Sequence, residues 1–380
     1  MRVLAVCLPS PGHVNPLLPL LHAFVAQGHE VLVACGEEAR ERVEGTGARH
    51  HRAGTGYPDW FARLAARTRG QPGDGLPPGR IAHYFVPRLF AEIAADDMAD
   101  EVVAAARELR PDLVVYETQS LSGPLAATVV GAPAVQLQVG PTQAGDVVDL
   151  VVDALSPLWR SFGLPIERDR MASGDLTVRT MASILDPPSS LEADQLSMRP
   201  VPLPRHTEPP RGRPLVHVTF GTVLNTDLDS LRLIVETVAA RDVDVIATVG
   251  SNNDPAALGP VRDNVQVERY VDHADLLPRC SAVVHHGGAG TMLSSLAHGL
   301  PQVVVPQGAD QFDNAAALEQ AGIALALLPG HVTRGEVETA VTAVLGHPAY
   351  RERAQGAAAE IAAMPDVTTV AEQLRRRYGR

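Results

Sequence analysis

Residues 282–311 read AVVHHGGAGTMLSSLAHGLPQVVVPQGADQ. A short apolar run ends in two histidines, three glycines follow within four positions, and a helical pattern takes over. Strand, glycine turn, helix start: this is the joint where doubly wound sheets bind ligands, beyond the carboxyl ends of their strands. Glycines at 287, 288 and 290 let the backbone approach a ligand, and the helix start offers unpaired N–H groups and the positive end of a dipole. Thr291 adds a hydroxyl, and His286 adds an N–H for a phosphate oxygen. The expectation is a diphosphate cradle built from Gly288, Ala289, Gly290, Thr291 and His286, with no metal and no lysine. A plain βα turn with a histidine cap fits the glycines alone equally well. A dinucleotide fingerprint ranks second. GAGTML supplies two of its glycines but has Leu293 at the third position, although Asp310 stands about twenty residues on, where a ribose-binding acid would be.

Working outward, short apolar runs alternate with helix-like stretches through the whole chain. Residues 3–8, 30–34, 113–116 and 134–139 read as buried strands of a first half. Residues 215–220, 243–249, 265–267, 282–285 and 302–305 read as strands of a second. Such alternation predicts an α/β protein with two parallel, doubly wound sheets covered on both faces. Proline and charge without periodicity mark residues 186–214 as the seam. The expected domains are 1–200 and 214–380 with a linker at 201–213, the final segment 367–377 being able to pack back on the N-terminal domain. Residues 54–90 read as a long irregular segment rich in aromatics.

Composition narrows the function. The 380 residues carry a net charge of −12, with 45% hydrophobic and 20% charged residues. That balance excludes a nucleic-acid surface or an anionic membrane as the main partner. No run has the length of a membrane span and no signal peptide is evident, so a cytoplasmic location is expected. The chain has no lysine, which excludes a Walker A loop. Cys7, Cys35 and Cys280 fit neither a zinc site nor a redox pair. The DLD at 227–229 and DVD at 242–244 read as capping and turn residues rather than metal ligands.

Other residues fall at strand ends. Asp310 and Gln311 follow the strand at 302–305, and a carboxylate beside a carboxamide suits vicinal hydroxyls. Gly221 and Thr222 end the first strand of the second half, where they would meet the same phosphates. Tyr270 and Val271 offer a ring face and backbone groups to a nucleobase. In the first half, PSPGHVNPLLPL places Gly12 and His13 beyond the first strand, with Asn15 expected to cap the helix and Pro16 at its first position. Glu117 ends another strand of that half and could orient His13 as the acid of a Ser-His-Asp set does.

With these residues in place the sequence resembles the family 1 nucleotide-sugar glycosyltransferases of the GT-B fold, and is most similar to their bacterial branch acting on macrolides, polyketides and other antibiotics. The motifs are PSPGHVNPLLPL, PDLVVYE, FGT, HHGGAGT and PQGADQ. The resemblance implies two Rossmann-like domains facing across a cleft, the C-terminal one for the donor and the N-terminal one for the acceptor. It implies a general base at His13, its acidic partner at Glu117, and diphosphate contacts at His286, Gly288, Ala289, Gly290 and Thr291. Gly12 and Thr222 are placed with the donor contacts, Tyr270 and Val271 with the nucleobase, and Asp310 and Gln311 with the sugar. The family usually has aspartate where Glu117 stands and often tryptophan at Tyr270. Many plant relatives have a ribose-binding glutamate where this chain has Ser294, a loss that favours a dTDP-deoxysugar over a UDP-sugar. The implied reaction is an inverting, metal-independent transfer to a hydroxyl of an apolar aglycone. Tyr57, Trp60, Phe61, Tyr84, Phe85 and Phe90, with Trp159 and Phe162, are expected to shape that acceptor pocket. No cofactor is expected beyond the donor, no nucleic acid and no membrane; a homodimer stays open. The rival readings are a nucleotide-sugar epimerase, a non-catalytic nucleotide-sugar-binding protein and an NAD(P) enzyme.

Overall fold

Val3, Ala5 and Cys7 belong to one apolar cluster and Leu4, Val6 and Leu8 to another. A strand whose successive side chains feed two separate cores must lie in the middle of a sheet covered on both faces. The computed structural model describes residues 1–68, 75–186, 194–200, 212–221, 227–250 and 253–379. It divides into two compact units. One comprises Met1–Thr180, Pro188–Arg199 and Met364–Arg380; the other comprises Met181–Pro187 and Pro200–Ala363. Of the linker expected at 201–213, residues 201–211 lie outside the described residues.

The strands of the first unit are β1 (Arg2–Val6), β2 (Glu30–Cys35), β3 (Arg49–Arg52), β4 (Leu113–Glu117), β5 (Ala134–Leu137), β6 (Leu176–Arg179) and β7 (Asp194–Ser197). They form one sheet in the order β3-β2-β1-β4-β5-β6-β7, and every pair is parallel. The second unit holds β8 (Leu215–Thr219), β9 (Asp244–Thr248), β10 (Val265–Glu268), β11 (Ala282–His285), β12 (Gln302–Val304) and β13 (Ala324–Ala326). Their order is β10-β9-β8-β11-β12-β13, again parallel throughout. In both sheets the order reverses beside the first strand of the unit, between β1 and β4 and between β8 and β11. The crevice for a ligand opens at such a reversal.

One face of the first sheet packs on the helices Ala95–Leu109, Ser122–Val130 and Gly145–Ser161. The other packs on Pro11–Ala26 and on the last helix, Val367–Tyr378. That last helix buries Val370, Ala371 and Leu374, with Val367 and Tyr378 half-buried beside them, the 3–4 spacing of one helical face. The Asp366 carboxylate caps it by accepting from the Thr369 N–H at 2.8 Å. The Gln27 amide donates to its Thr368 carbonyl at 3.1 Å, and Arg377 pairs with Asp194 on β7.

The described part of residues 54–90, which leaves out 69–74, is not the irregular segment its composition predicts. Tyr57–Thr68 is a helix that buries Trp60 and Leu64, one turn apart. From Ile81 a helix runs to Leu109 with a π-helical stretch at Val86–Ala94. Pro87 explains the irregularity, since it brings no N–H to the ladder. The Arg88 guanidinium donates to the His83 carbonyl, four residues before Pro87, at 3.5 Å and to the Tyr84 carbonyl at 3.3 Å, and lies 4.8 Å from the centre of the Tyr84 ring. Part of the seam is likewise ordered: residues 194–197, read as linker, are edge strand β7.

Candidate active site

The β1 strand ends beside β4, and the segments that leave the two strands meet. Helix Pro11–Ala26 starts one turn earlier than the sequence predicts. Ser10 is the cap residue, Pro11 takes the first position, where a missing N–H costs nothing, and Pro16 and Pro19 lie inside. His13 therefore stands in the first helical turn. Its Nδ1 lies 3.0 Å from Oε2 of Glu117, the last residue of β4. Glu117 is wholly buried and also accepts from the Ser120 hydroxyl at 2.5 Å and the Gln119 N–H at 2.8 Å. Burial works to raise the Glu117 carboxyl, but the His13 partner and these hydrogen bonds outweigh it and hold it below the usual range. The extra methylene of glutamate thus reaches the imidazole. An ionised carboxylate at Nδ1 fixes the proton there and leaves Nε2 as the basic nitrogen. A Cβ added to Gly12 would meet no atom within 4 Å.

Aromatic rings flank this dyad. The His13 ring is 6.3 Å from Tyr57 and 5.9 Å from Phe90. The series continues from Tyr57 to Phe61, Phe85 and Tyr84 at centroid distances of 6.2, 6.2 and 5.1 Å. Two expected pocket residues are corrected: Trp60 and Trp159 are fully buried and belong to the core. Phe162 is half-buried against the same core. Trp60 supports the wall from behind, through Asp97. The Asp97 carboxylate accepts from the Trp60 indole N–H at 2.8 Å, the Thr55 N–H at 2.6 Å and Arg63 at 2.9 Å. Burial pushes this carboxyl up, but those donors prevail and keep it below its ordinary range. Asp97→Ala takes the acceptor from the Trp60 indole and from the Thr55 N–H and hydroxyl and leaves Arg63 with Asp96 alone, and calorimetry is expected to show a loss of about 2–4 kcal/mol. A loss under about 0.5 kcal/mol would show that water replaces the carboxylate freely.

Next to the dyad the first unit also holds a cavity of about 50 Å³, lined among others by Thr118, Gln119, Gln136, Gln138 and Thr142. The sequence reading missed it. Its signal was present in three glutamines at strand ends.

In the second unit β8 ends at Thr219 and the chain continues to Gly221; Thr222 lies outside the described residues. His286, just past β11, fills the space between Gly221 and Gly288. A Cβ on Gly221 would come within 2.5 Å of the imidazole Cε1, and one on Gly288 would collide with Nε2. The imidazole thus requires glycine on both sides. Burial pushes its pKa down to about 4 against a hydrogen bond to the Thr219 carbonyl, so the ring is neutral and has one N–H, which a phosphate oxygen would have to draw from that carbonyl. The helix Ala289–Ala297 begins with no side-chain cap. Its first N–H groups, from Ala289 and Gly290, therefore face outward unpaired among the described residues, and the ground beside Gly290 is open. Thr291 is buried in the first turn. Gly288→Ala is expected to displace the imidazole and weaken dTDP or UDP binding about tenfold or more in calorimetry. Unchanged affinity would show that the ring touches no phosphate.

Asp310 is exposed at the start of the helix Gln311–Gln320. Gln311 departs from the expectation. It is buried, and its Oε1 accepts from the N–H groups of Gln307 at 2.7 Å and Gly308 at 3.2 Å, which leaves only its amino group for a ligand. Tyr270 is 67% exposed, and Val271 packs against a small apolar cluster that includes Leu276 and Leu277. Among the described residues, no three His, Cys, Asp or Glu side chains gather as a metal ion would require.

Two parallel units of Rossmann type, each with its polar cluster at the strand-order reversal, are the architecture of GT-B glycosyltransferases. The comparisons make this specific. Residues 82–198 match the family model for the N-terminal domain of erythromycin biosynthesis protein CIII-like proteins, and residues 232–376 match that for their C-terminal domain. The chain is 31% identical over 389 residues to the L-demethylnoviosyl transferase of Streptomyces niveus, covering 98% of this chain and 97% of that protein. It is 30% identical over 424 residues to the 10-deoxymethynolide desosaminyltransferase of Streptomyces venezuelae, covering 99% and 98%. Among solved structures, glycosyltransferase VinC in complex with dTDP shares 28% identity at a TM-score of 0.78, over 99% of each chain. The chain belongs to this erythromycin CIII-like family of bacterial natural-product glycosyltransferases, and it is an enzyme of that class.

Proposed function

We propose that this enzyme transfers a deoxysugar from a dTDP-sugar, or a sugar from a UDP-sugar, to a hydroxyl of a largely apolar natural product, with inversion and without a metal ion. The observation that carries this is the His13–Glu117 pair at 3.0 Å, set among the rings of Tyr57 and Phe90. His13 Nε2 takes the proton of the acceptor hydroxyl, the oxygen attacks the anomeric carbon, and the bond from that carbon to the diphosphate oxygen breaks. The electron pair leaves with the diphosphate. One displacement inverts the centre. Glu117 steadies the imidazolium that forms, as the acid of a triad does.

The departing negative charge meets the N–H groups at the start of Ala289–Ala297, the dipole of that helix and the His286 N–H. Fixed donors of this kind supply what a divalent cation would. Asp310 and the Gln311 amino group take the sugar hydroxyls, and Tyr270 covers the base. The aromatic series suits the apolar body of the acceptor, and the glutamine-lined cavity suits one polar substituent on it. VinC, solved with dTDP, supports the nucleotide.

A thermal-shift experiment with dTDP, UDP and NAD, each with EDTA, tests the donor half. Saturating dTDP or UDP is expected to raise the melting temperature by several degrees, about 2–4 °C for each kcal/mol of binding. Stabilisation by NAD alone, or by dTDP only once Mg²⁺ is restored, would refute the reading.

A further inference from the structure

Among the wholly buried polar side chains of the second unit are His285, Gln302 and Asn314. These three bear on one peptide, Gly287, Gln302 doing so through His285. The Gly287 N–H donates to His285 Nδ1 at 3.0 Å. The other nitrogen, His285 Nε2, lies 2.6 Å from Gln302 Oε1. Because Nδ1 accepts, the ring must be the neutral Nε2–H tautomer, donating to the carboxamide. On the far side of the peptide, the Asn314 amino group donates to the Gly287 carbonyl at 2.8 Å and, with its second hydrogen, to Asp310 Oδ2 at 3.0 Å.

The peptide so held is the least replaceable of the turn. Gly287 has φ +93°, and a Cβ there would come within 3.0 Å of both the Gln311 carbonyl oxygen and a Val304 methyl. Its neighbours on either side are His286 and Gly288. The Asp310 end is set with the same care: Ala309 before it lies at φ +54°, a left-handed conformation that costs a non-glycine residue energy. Among the described residues Gln302 Nε2 and Asn314 Oδ1 find no hydrogen-bond partner, so these side chains are kept at a cost that the geometry they fix must offset.

We propose that Asn314 is a positioning residue that couples the two donor-binding elements: one amide holds the diphosphate turn by its Gly287 carbonyl and aims the Asp310 carboxylate at the sugar, with His285 and Gln302 bracing the turn from behind. The inference rests on the proposed donor site and adds to it a residue that touches no substrate.

The test is a double-variant cycle read by calorimetry with two probes, dTDP and dTDP-glucose (UDP and UDP-glucose if wild type binds UDP more tightly). The ratio of the two dissociation constants is the affinity that the sugar adds, and a general loss of packing does not change it. Asn314→Leu is expected to lower this ratio about tenfold, to weaken the bare nucleotide about threefold, and to add nothing to the ratio once Asp310→Ala is present. If Asn314→Leu does not fold, Asn314→Ser, which keeps one donor, is carried through the same cycle with a smaller expected loss. Losses that multiply in the double variant, equal weakening of both probes, or a wild-type ratio near one would overturn the coupling. Failure of wild type to bind either nucleotide overturns the donor site itself, a distinct result.

Discussion

Replacing His13 by alanine is expected to lower kcat by about 10²–10⁴-fold, the usual contribution of a general base, and to leave nucleotide affinity as it was. The expectation comes from the proposed division of labour, in which His13 and Glu117 would serve the acceptor and the glycine turn the donor. Glu117→Gln falls nearly as far, because a carboxamide can no longer stabilise the imidazolium. It retains shape and loses charge, so its melting temperature separates chemistry from folding. Initial rates on any acceptor that wild type glycosylates, followed against pH, decide the matter. In wild type the rate is expected to drop on the acid side as Nε2 takes a proton, and the part of that drop seen while the second unit is still folded is expected to vanish in His13→Ala. A His13→Ala enzyme within threefold of wild type would remove the base from the mechanism.

The second large effect is acid lability of the second unit. His217, His285 and His286 are buried, and desolvation pushes their pKa values down to about 4, 3 and 4. Unfolded, each would titrate near 6.5. Between pH 6.5 and 4 the unfolded chain binds protons that the folded unit refuses, so stability falls as pH falls through that window and is complete above it. At pH 5 each histidine costs about 2 kcal/mol, and the three together about 6. That is a large part of the roughly 5–15 kcal/mol that hold a domain folded. Calorimetry without nucleotide is expected to show the transition of this unit falling by about 12–24 °C between pH 7.5 and 5. The first unit has no fully buried histidine among its described residues, so its transition moves less. His217→Gln, which can still donate to the Ile246 carbonyl that His217 Nδ1 meets at 2.9 Å, removes about a third of the difference. Equal melting at the two pH values would mean that these rings are solvated.

The sequence disclosed those parts of the fold whose signal is local. Strands with side chains buried on both faces, such as β1, β4 and β11, are plain apolar runs. The strands that escaped notice are β3, β6, β7 and β13. Arg49–Arg52 and Asp194–Ser197 pair on one side only and carry little apolar pattern, Leu176–Arg179 alternates over just four residues, and Ala324–Ala326 has three. The helices at 57–109 were hidden by proline and by aromatics whose burial depends on distant partners. Site residues obeyed the same rule. His13, Glu117 and the glycine turn stand at strand ends, where residue type speaks. Asp97, Ser120 and Gln302 act through partners that only folding brings near. Asn314 had a signal: it lies on the same buried helical face as Gln311, Ala315 and Leu318, where a polar residue needs a reason.

The last helix carries a practical consequence. Because Met364–Arg380 belongs to the first unit, the second is in effect an insertion within it. During synthesis the apolar surface around Leu17 and Leu21 has no cover from this helix until residues 367–378 emerge. Chimeras that graft a foreign donor half should therefore keep the native tail with the native head, changing chains once between the units and again before residue 364. A single crossover would seat an unfamiliar helix on that surface, and poor expression is the expected cost.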